Sequence, residues 1–236
     1  MVLLSGVNYQ TGELFDLKRI SNECNEYDIT LGLDLAHAIG NVPLSLHKWG
    51  VDFAVWCTYK YLNGGPGSVG GAYINEKHCK DYDLPRLHGW WSNKEENRFE
   101  MNHIIDPYET AEAWQMSNAP ILSMASLLGS LQVFDSVNLD DYYKKGQELS
   151  DYLIQLVKEE LPEIEIITPE NRKGCQVSLF IRGKDENFIS ELKENGIIAD
   201  WRNHKKGGIL RLAPVPLYNS FEDIFQLVII LKNIIN

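Results

Sequence analysis

Cysteine is scarce in this sequence, and what there is stands scattered. Four cysteines occupy positions 24, 57, 79 and 175 of 236 residues, with no close pairing. That spacing argues against a disulfide framework or a zinc knuckle and suits a reducing cytosol. Positive charge is short as well. The 22 lysines and arginines face 33 aspartates and glutamates, for a net charge of −11. Such a balance argues against a nucleic-acid partner and against an anionic membrane surface. No apolar run approaches the length of a membrane span. Met1-Val2-Leu3-Leu4 lacks the basic flank and the length of a signal peptide. Repeats and low-complexity tracts are missing too. What is present is the 44% hydrophobic and 23% charged composition of a globular protein. The length suits one large domain or one and a half ordinary ones.

The stretch VDFAVWCTYKYLNGGPGSVGG, residues 51–71, is the most unusual. Residues 53–57 are a short apolar run that predicts a buried strand. It ends on Thr58-Tyr59-Lys60, and glycines follow at 64, 65, 67, 70 and 71. A lysine closing a buried strand is uncommon, because an unpaired buried ammonium is costly. A glycine-rich turn beyond it allows a bulky group to approach the backbone. Lys60 is therefore a candidate for Schiff-base or nucleophilic chemistry; the plain alternative is a surface lysine that opens a loop.

Upstream, residues 2–7 predict a strand and 16–25 a helix with Leu17, Ile20 and Cys24 on one face. Residues 29–33 predict a second strand. It ends in Asp34, followed by LAHAIG. Strand, loop and helix in this order build a parallel α/β sheet, whose ligands collect at the carboxyl ends of the strands. Asp34 and Lys60 hold equivalent strand-end positions, which favours a functional Lys60. His37 follows Asp34 on the same loop, where packing or capping is the commoner role of a histidine.

Residues 72–74 predict a strand that is antiparallel or at an edge. Residues 78–110 read as a long irregular loop carrying His88 and Trp90-Trp91. Helices are expected over 121–134 and 139–161, the second ending at Pro162. Past that point the pattern changes to strands at 164–167, 176–181 and 209–213. Helices are expected at 186–195, with Gly196 as its C-cap, and at 221–235, with Asn219 or Ser220 as its N-cap. The expectation is an α/β fold, a mostly parallel sheet with helices over residues 1–162, followed by a small α+β domain over 163–236.

Gly65-Pro66-Gly67-Ser68-Val69-Gly70 fits G-x-G-x-x-G, but it precedes a strand instead of opening a helix, which excludes the dinucleotide reading. Asp34 and His37 have no third ligand at a telling spacing, so no metal site is expected. Arg211 lies within an apolar strand just before Pro214 and Pro216. Its guanidinium calls for a ligand carboxylate or phosphate, or for an internal salt bridge, and the sequence leaves these open. Trp90 is either core or an aromatic lid. Asn118, before Ala119-Pro120, is first of all a turn former.

Taken together these residues resemble kynureninase, a pyridoxal-phosphate enzyme of the aspartate-aminotransferase fold type. The stretches that carry the resemblance are GLDLAHAIGNVPLSLHKWGVDFAVWCTYKYLNGGPGSVGGAYI, LHGWW, WQMSNAPIL and RLAPVPLYNSFEDI. The resemblance implies that Lys60 carries pyridoxal 5′-phosphate and moves the α-proton. It implies that Asp34 faces the pyridine nitrogen, that His37 sits beside the cofactor, and that Ser5 and Tyr59 reach its phosphate. Tyr59 is also implied as a proton donor. Trp90 and Asn118 match residues that reach cofactor and substrate across a homodimer interface, and Arg211 would hold the substrate α-carboxylate. The implied reaction cleaves kynurenine or 3-hydroxykynurenine to the anthranilate and alanine, in cytoplasmic tryptophan catabolism leading to NAD.

Two departures stand out. Ser92-Asn93 occupy the place of the family's usual glycine and histidine, which touches substrate recognition. The match also begins inside the family's large domain, so the chain reads as the carboxy-terminal half, expected to be inactive alone. The alternatives are another pyridoxal-phosphate enzyme, a desulfurase or aminotransferase, and a non-catalytic dimerisation fragment.

Overall fold

Val2–Ser5 forms β1, Leu31–Asp34 β2, Phe53–Trp56 β3 and Gly71–Ile74 β4, hydrogen-bonded in that order into one sheet. The first three are parallel and β4 runs antiparallel at the edge. This is a computed structural model, and it describes residues 1–235. Parallel neighbours need crossovers. The first is α1, Leu17–Glu26, whose N-cap Asp16 accepts from the Arg19 N–H at 3.0 Å. The second is the turn segment after β2 followed by the single-turn helix α2, Leu46–Trp49. Leu31 and Leu33 of β2, Ala54 of β3 and Leu17 and Cys24 of α1 are buried. Gly32 leaves the room that the Phe53 ring fills, since a Cβ there would lie 2.3 Å from it.

Beyond β4 come α3, Glu76–Cys79, then irregular chain with 3-10 turns at Trp90–Ser92 and Ala111–Trp114, and then α4, Ile121–Asp135. The helix α5, Leu139–Glu160, starts on Asn138, whose side chain accepts from the N–H groups of Asp140 and Asp141 at 2.9 and 3.1 Å. Acidic residues in that first turn face the positive end of the helix dipole.

The second sheet holds β5 (Glu165–Ile166), β6 (Val177–Arg182), β7 (Asp200–His204) and β8 (Gly207–Leu212) in the order β5-β6-β8-β7, all antiparallel. The helices α6, Asn187–Glu194, and α7, Phe221–Ile235, complete it. One apolar core joins Leu149, Leu153 and Val157 of α5, Val177 and Leu179 of β6, Phe188 and Leu192 of α6, Leu210 and Leu212 of β8, and Ile224, Val228 and Leu231 of α7. Ser220 caps α7 reciprocally with Asp223: each backbone N–H donates to the other's side chain. The bond from the Ser220 N–H is the main reason the Asp223 carboxyl stays below its usual range.

Two compact units result. One comprises 1–6, 16–36 and 44–132; the other comprises 7–15, 37–43 and the chain from Val133 on. The fold is α/β with a mixed sheet, as the sequence predicts. LAHAIG is turn, because the Asn41 and Val42 N–H groups both return to the Ala38 carbonyl and Gly40 takes a left-handed φ of 71°. One local element was missed: β7 is a strand that the pattern did not predict.

Candidate active site

Three parallel strands end side by side in the first unit. The register pairs Ser5 with Asp34, and Asp34 with Val55. Just beyond, the Gly6 N–H donates to the Asp34 carbonyl and the Leu35 N–H to the Val55 carbonyl, both at 2.8 Å. The exits of β1, β2 and β3 thus form one edge that carries Ser5, Asp34 and, a few residues past β3, Tyr59 and Lys60. Asp34 is exposed on that edge. One of its oxygens accepts from the Ala36 N–H at 2.9 Å, which turns the chain sharply after the strand.

Lys60 is half-buried, with its Nζ 5.7 Å from the centroid of the Tyr59 ring, within reach of the ring's negative face. Tyr59 itself is 53% exposed. The Cys57 thiol, hydrogen-bonded to its hydroxyl, pushes the phenol above its ordinary pKa. The loop that follows is closed by buried Thr58. Its hydroxyl donates to the Val69 carbonyl at 2.6 Å and lies 2.7 Å from the Ser68 hydroxyl, while its carbonyl accepts from the Gly64 N–H at 2.8 Å. Ser130 of α4 donates to the Leu62 carbonyl and ties the same loop to the helix. Gly65 and Gly67 have left-handed φ values of 81° and 79°, and a Cβ on either would meet nothing within 4 Å. The loop is therefore locked at its base and open on the side of these glycines.

Trp90 and Asn118 are exposed on two segments that the structure joins. The Ser92 hydroxyl accepts from the Gly89 N–H at 3.1 Å and donates to the Gln115 carbonyl at 2.9 Å. A Cβ on Gly89 would lie 2.0 Å from the Met116 carbonyl oxygen, so only glycine allows this approach. Ser92, fully buried, is thus the pin between the two segments. Trp90 stacks edge-on against Phe99, with centroids 5.5 Å apart.

His37 and Arg211 belong to the second unit. The His37 carbonyl accepts from the Asn41 side chain at 2.8 Å. Arg211 sits opposite Asp200 in the β7–β8 ladder. Its Nε and Nη2 both lie 2.5 Å from the same Asp200 oxygen, and its Nη1 donates to the Tyr9 carbonyl at 2.6 Å. Of the two partners the sequence left open, the internal one is present. The sequence pointed to none of Thr58, Ser68, Asp200 or Tyr9. For Thr58 a signal existed, a hydroxyl residue directly between the strand and the glycines; for Asp200 and Tyr9 none did. Among the described residues no group of three or more His, Cys, Asp or Glu side chains is arranged to hold a metal ion.

Residues 143–231 match a family model described as the kynureninase C-terminal domain. A kynureninase from Flavobacterium psychrophilum is 44% identical over 238 aligned positions, covering 98% of this chain. The chain is thus similar to kynureninases along nearly its whole length. A kynureninase from Xanthomonas oryzae pv. oryzae is 43% identical and covers 97% of the chain. The chain spans only 55% and 54% of the length of these two kynureninases. Among solved structures, a cysteine desulfurase from Thermococcus onnurineus NA1 superposes with a TM-score of 0.82 at 16% identity, covering 99% of this chain and 59% of that one. An alanine–glyoxylate aminotransferase from Nostoc sp. does so with a TM-score of 0.74 at 19% identity, covering 99% and 61%. At such identities the likeness is one of fold alone.

Proposed function

We propose that this chain is the lysine-bearing part of a kynureninase-type hydrolase, which cleaves the Cβ–Cγ bond of L-kynurenine or 3-hydroxykynurenine. The products are anthranilate or 3-hydroxyanthranilate and L-alanine, in cytoplasmic tryptophan catabolism toward NAD. The observation that carries the reading is 44% identity to a kynureninase along 98% of the chain. In this reading residues 1–162 are the end of the cofactor-binding domain and 163–236 the small domain; the matched family model begins within α5, at residue 143.

The side chains on the sheet edge suit pyridoxal 5′-phosphate. Lys60 offers an amine for its aldehyde, Asp34 a carboxylate for its ring nitrogen, and Ser5 and Tyr59 hydroxyls for its phosphate, beside a glycine loop with open space. When bound, that group supplies an electron sink for charge developing next to the amine-bearing carbon. Lys60 anchors it and afterwards takes and returns the proton at the substrate α-carbon. Asp34 keeps a proton on the ring nitrogen by opposite charge. The Tyr59 phenol, protonated at neutral pH like any tyrosine, serves as the proton donor. His37 flanks the cofactor, and Arg211 holds the substrate α-carboxylate. Trp90 and Asn118 serve the neighbouring subunit's site in a homodimer.

The test is anthranilate release from kynurenine, followed by fluorescence. The chain is supplied with pyridoxal phosphate and co-expressed with the amino-terminal part of the Flavobacterium psychrophilum relative. Anthranilate should appear, and Lys60→Ala should remove it. Sulfur release from cysteine without anthranilate from kynurenine would instead make the chain a desulfurase.

A further inference from the structure

Arg211 is held more elaborately than an ordinary cross-strand ion pair requires. Asp200 takes its Nε and Nη2 on one side, both at 2.5 Å. The Tyr9 carbonyl takes Nη1 at 2.6 Å. That carbonyl is itself fixed, since the buried Gln176 amide donates to it at 3.0 Å and also reaches the Ser178 hydroxyl at 3.1 Å. The Tyr9 loop has no slack either. The Asn8 side chain accepts from the Gln10 and Thr11 N–H groups at 2.9 and 3.0 Å, and a Cβ on Gly12 would lie 2.8 Å from the Gln176 carbonyl oxygen.

A guanidinium has five N–H donors. Two hydrogen bonds engage it here, from Nε–H to Asp200 and from Nη1–H to the Tyr9 carbonyl, with Nη2 2.5 Å from the same Asp200 oxygen, so that Nη1 and Nη2 each keep at least one N–H for a ligand. Two parallel N–H groups are what a carboxylate binds bidentately. Charge points the same way. Arg202, two residues along β7, places its Nη2 3.3 Å from the second Asp200 oxygen. Asp200 thus neutralises only one of two guanidinium groups, and the cluster stays net positive.

We propose that Asp200 and the Tyr9 carbonyl form a positioning clamp for Arg211, which aims its two remaining N–H groups at a ligand carboxylate. This rests on the reading of Arg211 as the carboxylate-binding residue. Asp200 acts through Arg211 and touches no ligand itself. The arrangement differs from a gate, in which Asp200 would occupy the ligand's own place and have to leave.

Acetate, the smallest carboxylate, titrated into the full chain against sodium chloride at constant ionic strength, tests the clamp. The readout is the Arg211 Nε–H resonance by NMR, assigned through Arg211→Lys. Acetate should shift it saturably. Asp200→Asn should weaken acetate about tenfold, since misplacing a binding group by ~1 Å costs up to ~10²-fold. Asp200→Glu, which keeps the charge, should restore most of the affinity, and circular dichroism shows that each variant is folded. If Asp200→Asn is unfolded, Asp200→Glu decides alone: affinity within a few-fold of the unsubstituted chain supports the clamp, and tighter binding overturns it. In a folded Asp200→Asn, equal or tighter acetate binding overturns the clamp while Arg211 remains a carboxylate site. No saturable shift in the unsubstituted chain removes the Arg211 reading, and the clamp with it.

Discussion

Lys60 and Asp52 show how differently two charged residues of one unit are used. Lys60 is half-buried at an open loop beside an exposed tyrosine. If the proposed role holds, Lys60→Ala is expected to lower anthranilate release in the co-expressed assembly by ~10³-fold or more, at the upper end of what a positioned proton-transfer group contributes. A melting curve of the variant separates that loss from a loss of fold. Asp52 is 3% exposed. One of its oxygens accepts from the Leu31 N–H at 2.7 Å; the other contacts Lys77 Nζ and His78 Nε2, both at 2.6 Å. Burial works against the charged form, but these partners outweigh it and hold the carboxyl below its usual 3.8. A depressed folded pKa stabilises the fold above the unfolded value, and that contribution is lost as pH falls below about 3.8 through the folded value. Asp52→Asn is therefore expected to cost about 1–3 kcal/mol at neutral pH, and to flatten the acid limb of stability below pH 3.8. Urea melts between pH 2 and 7 measure both, and an unchanged acid limb would contradict the assignment.

At the scale of elements, the parallel sheet was legible because its strands are continuous apolar runs closed by polar residues, the pattern of strands buried on both faces. Asp34 and Lys60 could be paired as strand ends for the same reason. β7 was not legible. Asp-Trp-Arg-Asn-His has a single apolar residue, and Trp201 is its only buried one. It is a strand because β8 lends it a ladder along one side, and no local propensity expresses that. Gly32 offers a test at this scale. Its neighbour across the ladder is Phe53, and Gly32→Ala should displace that ring and cost about 1–3 kcal/mol. For a chain of this size the melting midpoint should fall by roughly 2–4 °C per kcal/mol.

Across the whole molecule, the feature that stands out is apolar surface left uncovered. α4 is hydrophobic on all sides, yet of its residues only Phe134 is buried. Ile121, Leu122 and Leu128 are 79, 89 and 58% exposed. A helix apolar all round is normally a buried one, and exposed patches of this kind mark contact surfaces or aggregation sites. Edge strand β1 adds exposed Leu3 and Leu4. The chain by itself is expected to self-associate, with a light-scattering mass above that of a monomer. Replacing Leu122 and Leu128 together with glutamate should bring the mass down. A monodisperse monomer of the unsubstituted chain at high concentration would contradict this.

The sequence by itself determined the order and type of most elements, the strand-end positions of Asp34 and Lys60, and the likeness to kynureninase. Hydrophobic period and turn residues are local, and long matching stretches need no coordinates. Only the tertiary structure decided which polar groups meet. It set Asp200 and the Tyr9 carbonyl on Arg211, Ser92 between the Gly89 and Gln115 segments, and Thr58 across the base of the Lys60 loop. These partners lie up to 202 residues apart. Their pairing follows from strand register and from the demand that buried donors find acceptors, and neither is written in the spacing of residues along the chain.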